Sequence, residues 1–347
     1  MVNIAIAGIG AAGGFGCGLY ALGSAMEKKG ISPQTRTVHS AKGDIEVPAL
    51  PADTSRLADF IPEKTLRRND HYTRMALLGC FLALEDAGLG NMDLNRMGII
   101  VATGLGSTCN TLDFENVVTG NNAACSPTRF SNSVHNAAAA HISIFLKACG
   151  PNLSINQFDM SLPSAIMTAC CWLEEGRTES VMVGGVDEFS NVMAYYSHNC
   201  FAKDGKPYIP VGEGSAFFLL TARPEQARYG YIRKAVVGNT ENGKIPVNRD
   251  ALVLADRESY QARREIYDQH LAKNQTLVSC SHLYGNIPVG MGFDIAIASI
   301  GFQRGISCLS FGDIIRTGSR LSPDTPVCCL KINQAGEYGI VTVSPFG

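Results

Sequence analysis

The sequence predicts a layered α/β protein, a mostly β core covered by helices, and three observations carry that prediction. Short β-branched runs alternate with stretches whose apolar residues recur at helical spacing. The 347 residues are 46% hydrophobic and include 36 glycines, enough to bury an extensive interior as one compact body or two fused halves. No low-complexity linker interrupts the alternation, and no tandem repeat is visible.

The elements follow in order. Residues 2–7 read as a strand and lead into Gly8-Ile9-Gly10-Ala11-Ala12-Gly13, a match to G-x-G-x-x-G. As a dinucleotide fingerprint this motif wants an acidic residue about 20 positions on, at the end of a second strand. The next strand candidate, residues 35–39, offers Arg36 and no Asp or Glu at its end, so the motif reads as a tight strand-to-helix turn. Residues 74–87 carry Met75, Leu78 and Leu82 at helical spacing and stop at Gly88, a C′ glycine. Residues 97–102 form a buried strand ending in the turn Thr103-Gly104-Leu105-Gly106. Ala137–Leu146 is an Ala-rich helix, and Ile166, Ala169, Cys170 and Leu173 stripe the next one. Residues 181–183, 216–220 and 236–237 read as further strands.

Composition excludes several classes of function. A formal net charge of −2 gives no electrostatic reason to expect nucleic acid or an anionic membrane surface as a partner. The twelve cysteines fall largely inside apolar runs (Cys80, Cys149, Cys170, Cys171, Cys328, Cys329) of a chain far longer than disulfide scaffolds, so reduced thiols are expected. No C-x-x-C pair occurs and Cys170-Cys171 are adjacent, which suits no zinc site; neither metal nor cofactor is expected. Residues 1–25 are apolar but lack a basic leader and are broken by seven glycines. A signal peptide or membrane span is therefore not expected, and the cytoplasm is the expected location.

Several motifs in a fixed order resemble the β-ketoacyl synthases. They are Arg67-Arg68-Asn69-Asp70 before the Met75 helix and Asp86-Ala87-Gly88-Leu89 at its end, and the strand Gly98-Ile99-Ile100-Val101-Ala102-Thr103-Gly104. Ser131-Asn132-Ser133-Val134-His135-Asn136, the run Gly150-Pro151-Asn152-Leu153-Ser154-Ile155-Asn156-Gln157-Phe158-Asp159, and Val181-Met182-Val183-Gly184-Gly185 continue the series. Gly212-Glu213-Gly214-Ser215-Ala216 closes it. The resemblance implies a thiolase-like fold of two βαβαβαββ halves in an α-β-α-β-α arrangement. The N-terminal half is expected over residues 1–235 and a shortened C-terminal half over 236–347.

Against that family, the positions that should carry the chemistry all depart. Condensation requires a nucleophilic thiolate, two histidines and backbone donors for the thioester oxyanion. Asp159 stands in place of the cysteine. No G-T-x-T-x-x-x-D motif supplies the first histidine; Leu252 to Glu258 stands in its approximate place. In Tyr284-Gly285-Asn286-Ile287-Pro288-Val289-Gly290, Asn286 replaces the second histidine. The C-terminal glycine-rich loop is reduced to Ala335-Gly336-Glu337-Tyr338-Gly339. No catalytic residue is expected.

Asp159 reads as the N-cap of a helix beginning near Met160, worth about 1 kcal/mol at the positive end of the dipole. The functional alternative is an acid or base acting on a bound acyl chain. Ser161 and Ser164 lack the G-x-S-x-G elbow of a serine nucleophile. His135 and His141 read as structural or interface residues, Asp187-Glu188 as the acidic pair that follows this G-G turn in the family, and Arg257 to Arg264 as a solvated helix face.

Within the family the chain resembles the chain-length factors, or ketosynthase-β subunits, of type II polyketide and aryl-polyene systems. Its implied role is a non-catalytic subunit, a pseudoenzyme that forms a heterodimer with an active ketosynthase, meets acyl carrier protein through that complex and shapes the acyl pocket. Val134, Leu153, Ile155 and Phe158 are the implied interface, and Thr111, Leu112 and Phe114 the implied pocket end, with ordinary core packing as the alternative for Leu112 and Phe114. Two rival readings stay open: a divergent condensing or decarboxylating enzyme using Asp159, and a homo-oligomeric acyl-binding scaffold.

Overall fold

The structure, a computed structural model, describes residues 3–40, 43–88, 93–120, 126–199, 209–256, 264–318 and 322–345. Val2, Leu89 and the 257–263 part of the charged segment, with Arg257 and Glu258, lie outside the described residues.

The first half comprises β1 (Ile4–Gly13), β2 (Gly16–Cys17), α1 (Gly18–Lys28), β3 (Gln34–Val38), β4 (Ile45–Leu50), α2 (His71–Ala87), β5 (Gly98–Thr103), α3 (Thr108–Thr119), α4 (Pro127–Ser133) and α5 (Ala137–Leu146). It continues through β6 (Asn152–Asn156), α6 (Ser161–Glu174), β7 (Ser180–Asp187), α7 (Asn191–Ser197), β8 (Val211–Gly212) and β9 (Gly214–Thr221). The second half comprises β10 (Tyr231–Asn239), β11 (Leu252–Ala255), α8 (Arg264–His270), β12 (Leu277–Ser279), α9 (Met291–Arg304), β13 (Asp313–Arg316), β14 (Val327–Ile332) and β15 (Glu337–Ser344).

The main sheet runs β13-β12-β11-β14-β15-β10-β1-β9-β7-β5-β6, with β2 folded back on β1. Numbered within its own half, the set β1, β5, β6, β7, β9 lies in the order 3-2-4-5-1, and β10, β11, β12, β14, β15 repeat that order. In each half the fifth strand is antiparallel to both neighbours. The halves join where β1 meets β10 at Ile4↔Ile232 and Ala5↔Tyr231. Helix α6 packs on β5 and β7 of its own half and on β10 and β15 of the other; α9 packs on β14, β15, β9 and α6. These two helices form the middle layer expected of a thiolase-like fold.

Three apolar clusters match the layers. The largest gathers Leu162, Ile166 and Ala169 of α6 with Phe293, Ile297 and Ile300 of α9 between the sheet halves. A second lies under α2 and α5, and a third under α8 around Tyr267 and Leu271. Helix α2 is set by its sequence at both ends. Asp70 Oδ1 accepts from the Thr73 N–H as N-cap, and Gly88 ends the helix left-handed at φ 65°.

The G-x-G-x-x-G motif is not a strand-to-helix turn. Strand β1 runs straight through it, and the chain reverses only beyond Gly13, in the hairpin to β2. The glycines are there for close approach. A Cβ on Gly8 would lie 2.3 Å from the Ala83 carbonyl oxygen, and one on Gly10 would lie 2.0 Å from that of Gly79, so α2 sits directly against β1.

Candidate functional site

Strand β6 ends in a single 3-10 turn, Phe158–Met160, before α6 begins at Ser161. The turn is fixed from the α6 side. The Gln157 N–H donates to Ser161 Oγ at 2.7 Å, Ser161 Oγ donates to the Thr103 carbonyl at 2.7 Å, and Ser164 Oγ donates to Gln157 Oε1 at 2.7 Å. Both hydroxyls are therefore committed to structure. Phe158 carries φ 50°, one of three non-glycine residues at positive φ among the described residues.

Asp159 does not cap α6. The N-cap position is Met160, no side chain accepts there, and the buried Asp159 carboxylate turns instead toward Lys331, with Oδ1 2.9 Å from Nζ. An ammonium within contact outweighs a cap, because full charge meets full charge away from water. Lys331 lies on β14, buried to 4% exposure, opposite Gly339 in the β14–β15 hairpin. A Cβ on Gly339 would come within 2.3 Å of Pro163, so the missing side chain lets the start of α6 rest on β15.

The same ammonium gathers the other degenerate positions. Its Nζ donates to the Pro288 carbonyl at 3.0 Å and approaches that of Ile287 at 3.4 Å, in the loop that holds Asn286. Asp256, at the end of β11, places Oδ2 3.8 Å away. Asn286 itself is held through its backbone, donating to the Pro210 carbonyl at 2.7 Å and accepting from the Gly212 N–H at 3.0 Å. Burial alone would push the Lys331 ammonium down, but Asp159 and Asp256 overcome it and hold its pKa above the ordinary lysine range. Nearby, Tyr284 Oη donates to Asp294 Oδ1 at 2.8 Å. Burial raises the Asp294 carboxyl to about 7, against the opposing pull of that hydrogen bond.

Sequence reasoning missed Lys331, Asp256, Tyr284 and Asp294. A signal existed for the first: a lysine inside the apolar run Val327-Cys328-Cys329-Leu330-Lys331-Ile332 is almost never buried without a partner. No substitute thiol stands in the cluster. Burial pushes Cys308 up to about 12 and Cys280 and Cys329 well above the ordinary thiol range, so each is held as a neutral thiol.

Asp187 and Glu188 do not act as a pair. Asp187 Oδ1 accepts from Thr103 Oγ1 at 2.7 Å and the Gly104 N–H at 2.8 Å, whereas Glu188 Oε1 accepts from the Cys109 N–H at 2.8 Å. Burial raises Asp187 to about 6 and Glu188 to about 7. Glu213 joins the start of α2 to this region by accepting from the Ala52 and Phe189 N–H groups and facing His71 at 3.2 Å. His135 is exposed beside Gly106, and His141 is half-buried against Phe145. Neither reaches the Lys331 cluster through a hydrogen bond or ion pair.

The expected interface residues lie on the open side of the sheet. Among the described residues strand β6 pairs only with β5, in parallel, and Leu153 and Phe158 are 36% and 38% exposed. Ile155 is half-buried, and Val134 is exposed between α4 and α5. Helix α5 packs on β6, α4 on α5, and α3 on α4, so these elements form one continuous succession. On α3 no residue is buried: Leu112 and Phe114 are half-buried, and the Phe114 ring lies 5.4 Å from that of the exposed Phe130. Both side chains are thus only partly enclosed within this chain. Thr111 Oγ1 donates to the Ser107 carbonyl at 2.9 Å.

A duplicated 3-2-4-5-1 sheet around two central helices, with its charged cluster where strand three of the first half turns into a helix, defines a thiolase-fold protein built like a condensing enzyme. Residues 19–202 match the family described as β-ketoacyl synthase, N-terminal domain. The chain belongs to the β-ketoacyl synthase family. It is 25% identical over 247 residues to nodulation protein E of Rhizobium leguminosarum bv. trifolii, a match covering 66% of this chain and 60% of that protein. The chain thus spans less than two thirds of that relative. Among solved structures, a β-ketoacyl synthase from Burkholderia phymatum STM815 superposes with TM-score 0.79 at 17% identity, covering 99% of this chain and 100% of the other. The ishigamide ketosynthase/chain length factor gives 0.76 at 16% identity, with 99% and 100% covered. At these identities the likeness is one of fold. Among the described residues no helix is long and apolar enough to cross a membrane.

Proposed function

We propose that this chain is a non-catalytic subunit that pairs with an active β-ketoacyl-carrier-protein synthase in type II polyketide, aryl-polyene or fatty-acid-like chain elongation and shapes the acyl pocket from its side. The observation that carries this reading is the ion pair of Asp159 with Lys331 at the nucleophile position. A carboxylate bound to a buried ammonium carries no thioester, and burial holds the thiols of Cys280, Cys308 and Cys329 neutral. The unpaired β6 edge, with Leu153, Ile155, Phe158 and Val134 along it, supports a partner of the same architecture. The solved ketosynthase/chain length factor of like fold supports the kind of partner. Thr111, Leu112 and Phe114 then close the pocket end.

Locating an intact ketosynthase gene beside this one and co-expressing the two tests the reading. The expected result is a 1:1 heterodimer by size-exclusion chromatography with light scattering, its interface burying more than ~2,000 Å². Intact-mass spectrometry after incubation with acyl- and malonyl-carrier protein is expected to find no acyl adduct on this chain. An adduct here, or a stable monomer that ignores the ketosynthase, overturns it.

A further inference from the structure

The buried cluster and the open edge are described above as separate features, yet one residue stands between them. Phe158 is bulky, exposed and left-handed, a backbone state that such a residue holds only where its surroundings over-determine it. Those surroundings grip it from both sides. Gln157, before it, is tied to Ser161 and Ser164. Asp159, after it, is tied to Lys331, and Lys331 is itself immobilised: its strand is paired with β11 on one side and β15 on the other, and its ammonium also holds the Pro288 carbonyl and faces Asp256. The turn packs on β14, β15 and the Pro288–Gly290 turn, and Lys331 adds an ionic tie between it and the second half.

We infer that the Asp159–Lys331 pair is a positioning device for the partner-facing surface: it clamps the turn that keeps Phe158 left-handed and its ring exposed at the open edge of the sheet. The locus that could have held a nucleophile thereby serves recognition. This inference rests on the subunit reading for the identity of the partner, a ketosynthase subunit, but not for the clamp. Neither Asp159 nor Lys331 touches the partner in this scheme; both act through Phe158.

Two measurements test it. Hydrogen exchange of the isolated chain reads the clamp without any partner. In Asp159→Ala, which leaves Lys331 with Asp256, amides 158–160 are expected to exchange ~10-fold faster or more, while β5 and β7 change less than about twofold. Unchanged exchange at 158–160 overturns the inference. Affinity for the co-expressed ketosynthase reads the consequence. Phe158→Ala and Asp159→Ala are each expected to weaken it ~10-fold, and the double variant to be within about twofold of Phe158→Ala alone, since one acts through the other. Losses that multiply in the double variant overturn the inference. A wild-type chain that binds no ketosynthase sinks the subunit reading, and the exchange result then decides the clamp by itself.

Discussion

Strands β6 and β12 hold the same place in the two halves, third in sequence and outermost in the repeated order, and their outer edges are treated oppositely. The edge of β12 is covered by β13 through Leu277↔Arg316, Val278↔Ile314 and Ser279↔Asp313, and all three residues of β12 are buried. The edge of β6 is bare, and its residues are exposed or half-buried. Proteins blunt bare edges because unpaired N–H and C=O groups invite another chain. Here one half uses a strand for that protection and, among the described residues, the other does not, which fits the proposal that β6 seats a partner.

The starts of the two central helices differ in parallel fashion. Each has a buried aspartate: Asp159 just before α6 and Asp294 in the first turn of α9. The first is neutralised by an ammonium; the second has a tyrosine hydroxyl and a carboxyl raised to about 7. The two helix starts thus hold one ion-paired carboxylate and one carboxyl raised by burial.

The largest effect expected follows from the ion-paired carboxylate. Lys331→Met strands Asp159 and Asp256 without their cation, and urea denaturation is expected to show a loss of ~3–5 kcal/mol. A loss below ~1 kcal/mol would mean that water already reaches the cluster.

The second expectation concerns the carboxyl raised by burial. For Asp294 the folded pKa lies above the unfolded value, so the folded state binds the extra proton and stability falls as pH rises from ~4 to ~7, then levels. The fall attributable to it is on the order of a few kcal/mol. Asp294→Asn is expected to flatten that part of the profile measured by urea midpoints at several pH values, leaving the same-signed contributions of Asp187 and Glu188. An unchanged slope would assign the whole pH dependence to those two.

At the β6 edge, Leu153→Asp or Ile155→Asp is expected to abolish the heterodimer on size-exclusion chromatography, Leu153→Asp changing the chain's own unfolding free energy by less than ~1 kcal/mol and Ile155→Asp by more because Ile155 also packs on the main core. If the heterodimer survives, the comparison of edges does not identify the partner's seat. The smallest effect is at the pocket end: Phe114→Ala or Leu112→Ala in the reconstituted heterodimer is expected to shift products toward longer chains with the rate within a few fold, because bulk at a closed pocket end limits length by overpacking worth roughly 1–3 kcal/mol. An unchanged product distribution would move the length determinant elsewhere.

Much of the fold was legible in the sequence because local periodicity and burial agree there. Helix α5 has the bounds its Ala-rich run suggested, β7 and β9 enclose the runs that marked them, and β5 lies one residue beyond its own. The glycine motif in β1 was misread because glycine signals a turn in sequence, whereas here it signals helix α2 pressed against the strand from 70 residues away. The charged cluster was illegible for a similar reason. Asp159 looks like a cap when only its neighbours are considered; its partner lies 172 positions later on a strand of the other half, and nothing local encodes that meeting. Strand β13 is only four residues long, too short to announce that it covers an edge.

Strand β1 carries a consequence for synthesis. It is entirely buried in the finished protein, and it holds no charged residue. Its main partner, β9, pairs with it from Ala5↔Thr221 to Gly13↔Gly214, so it cannot form until the chain has grown by some 200 residues. At ~5–20 residues per second, that leaves an uncharged ten-residue strand emerged and waiting for roughly 10–40 s. The nascent chain is thus exposed to misassociation at β1, a strand whose mate has not yet been translated.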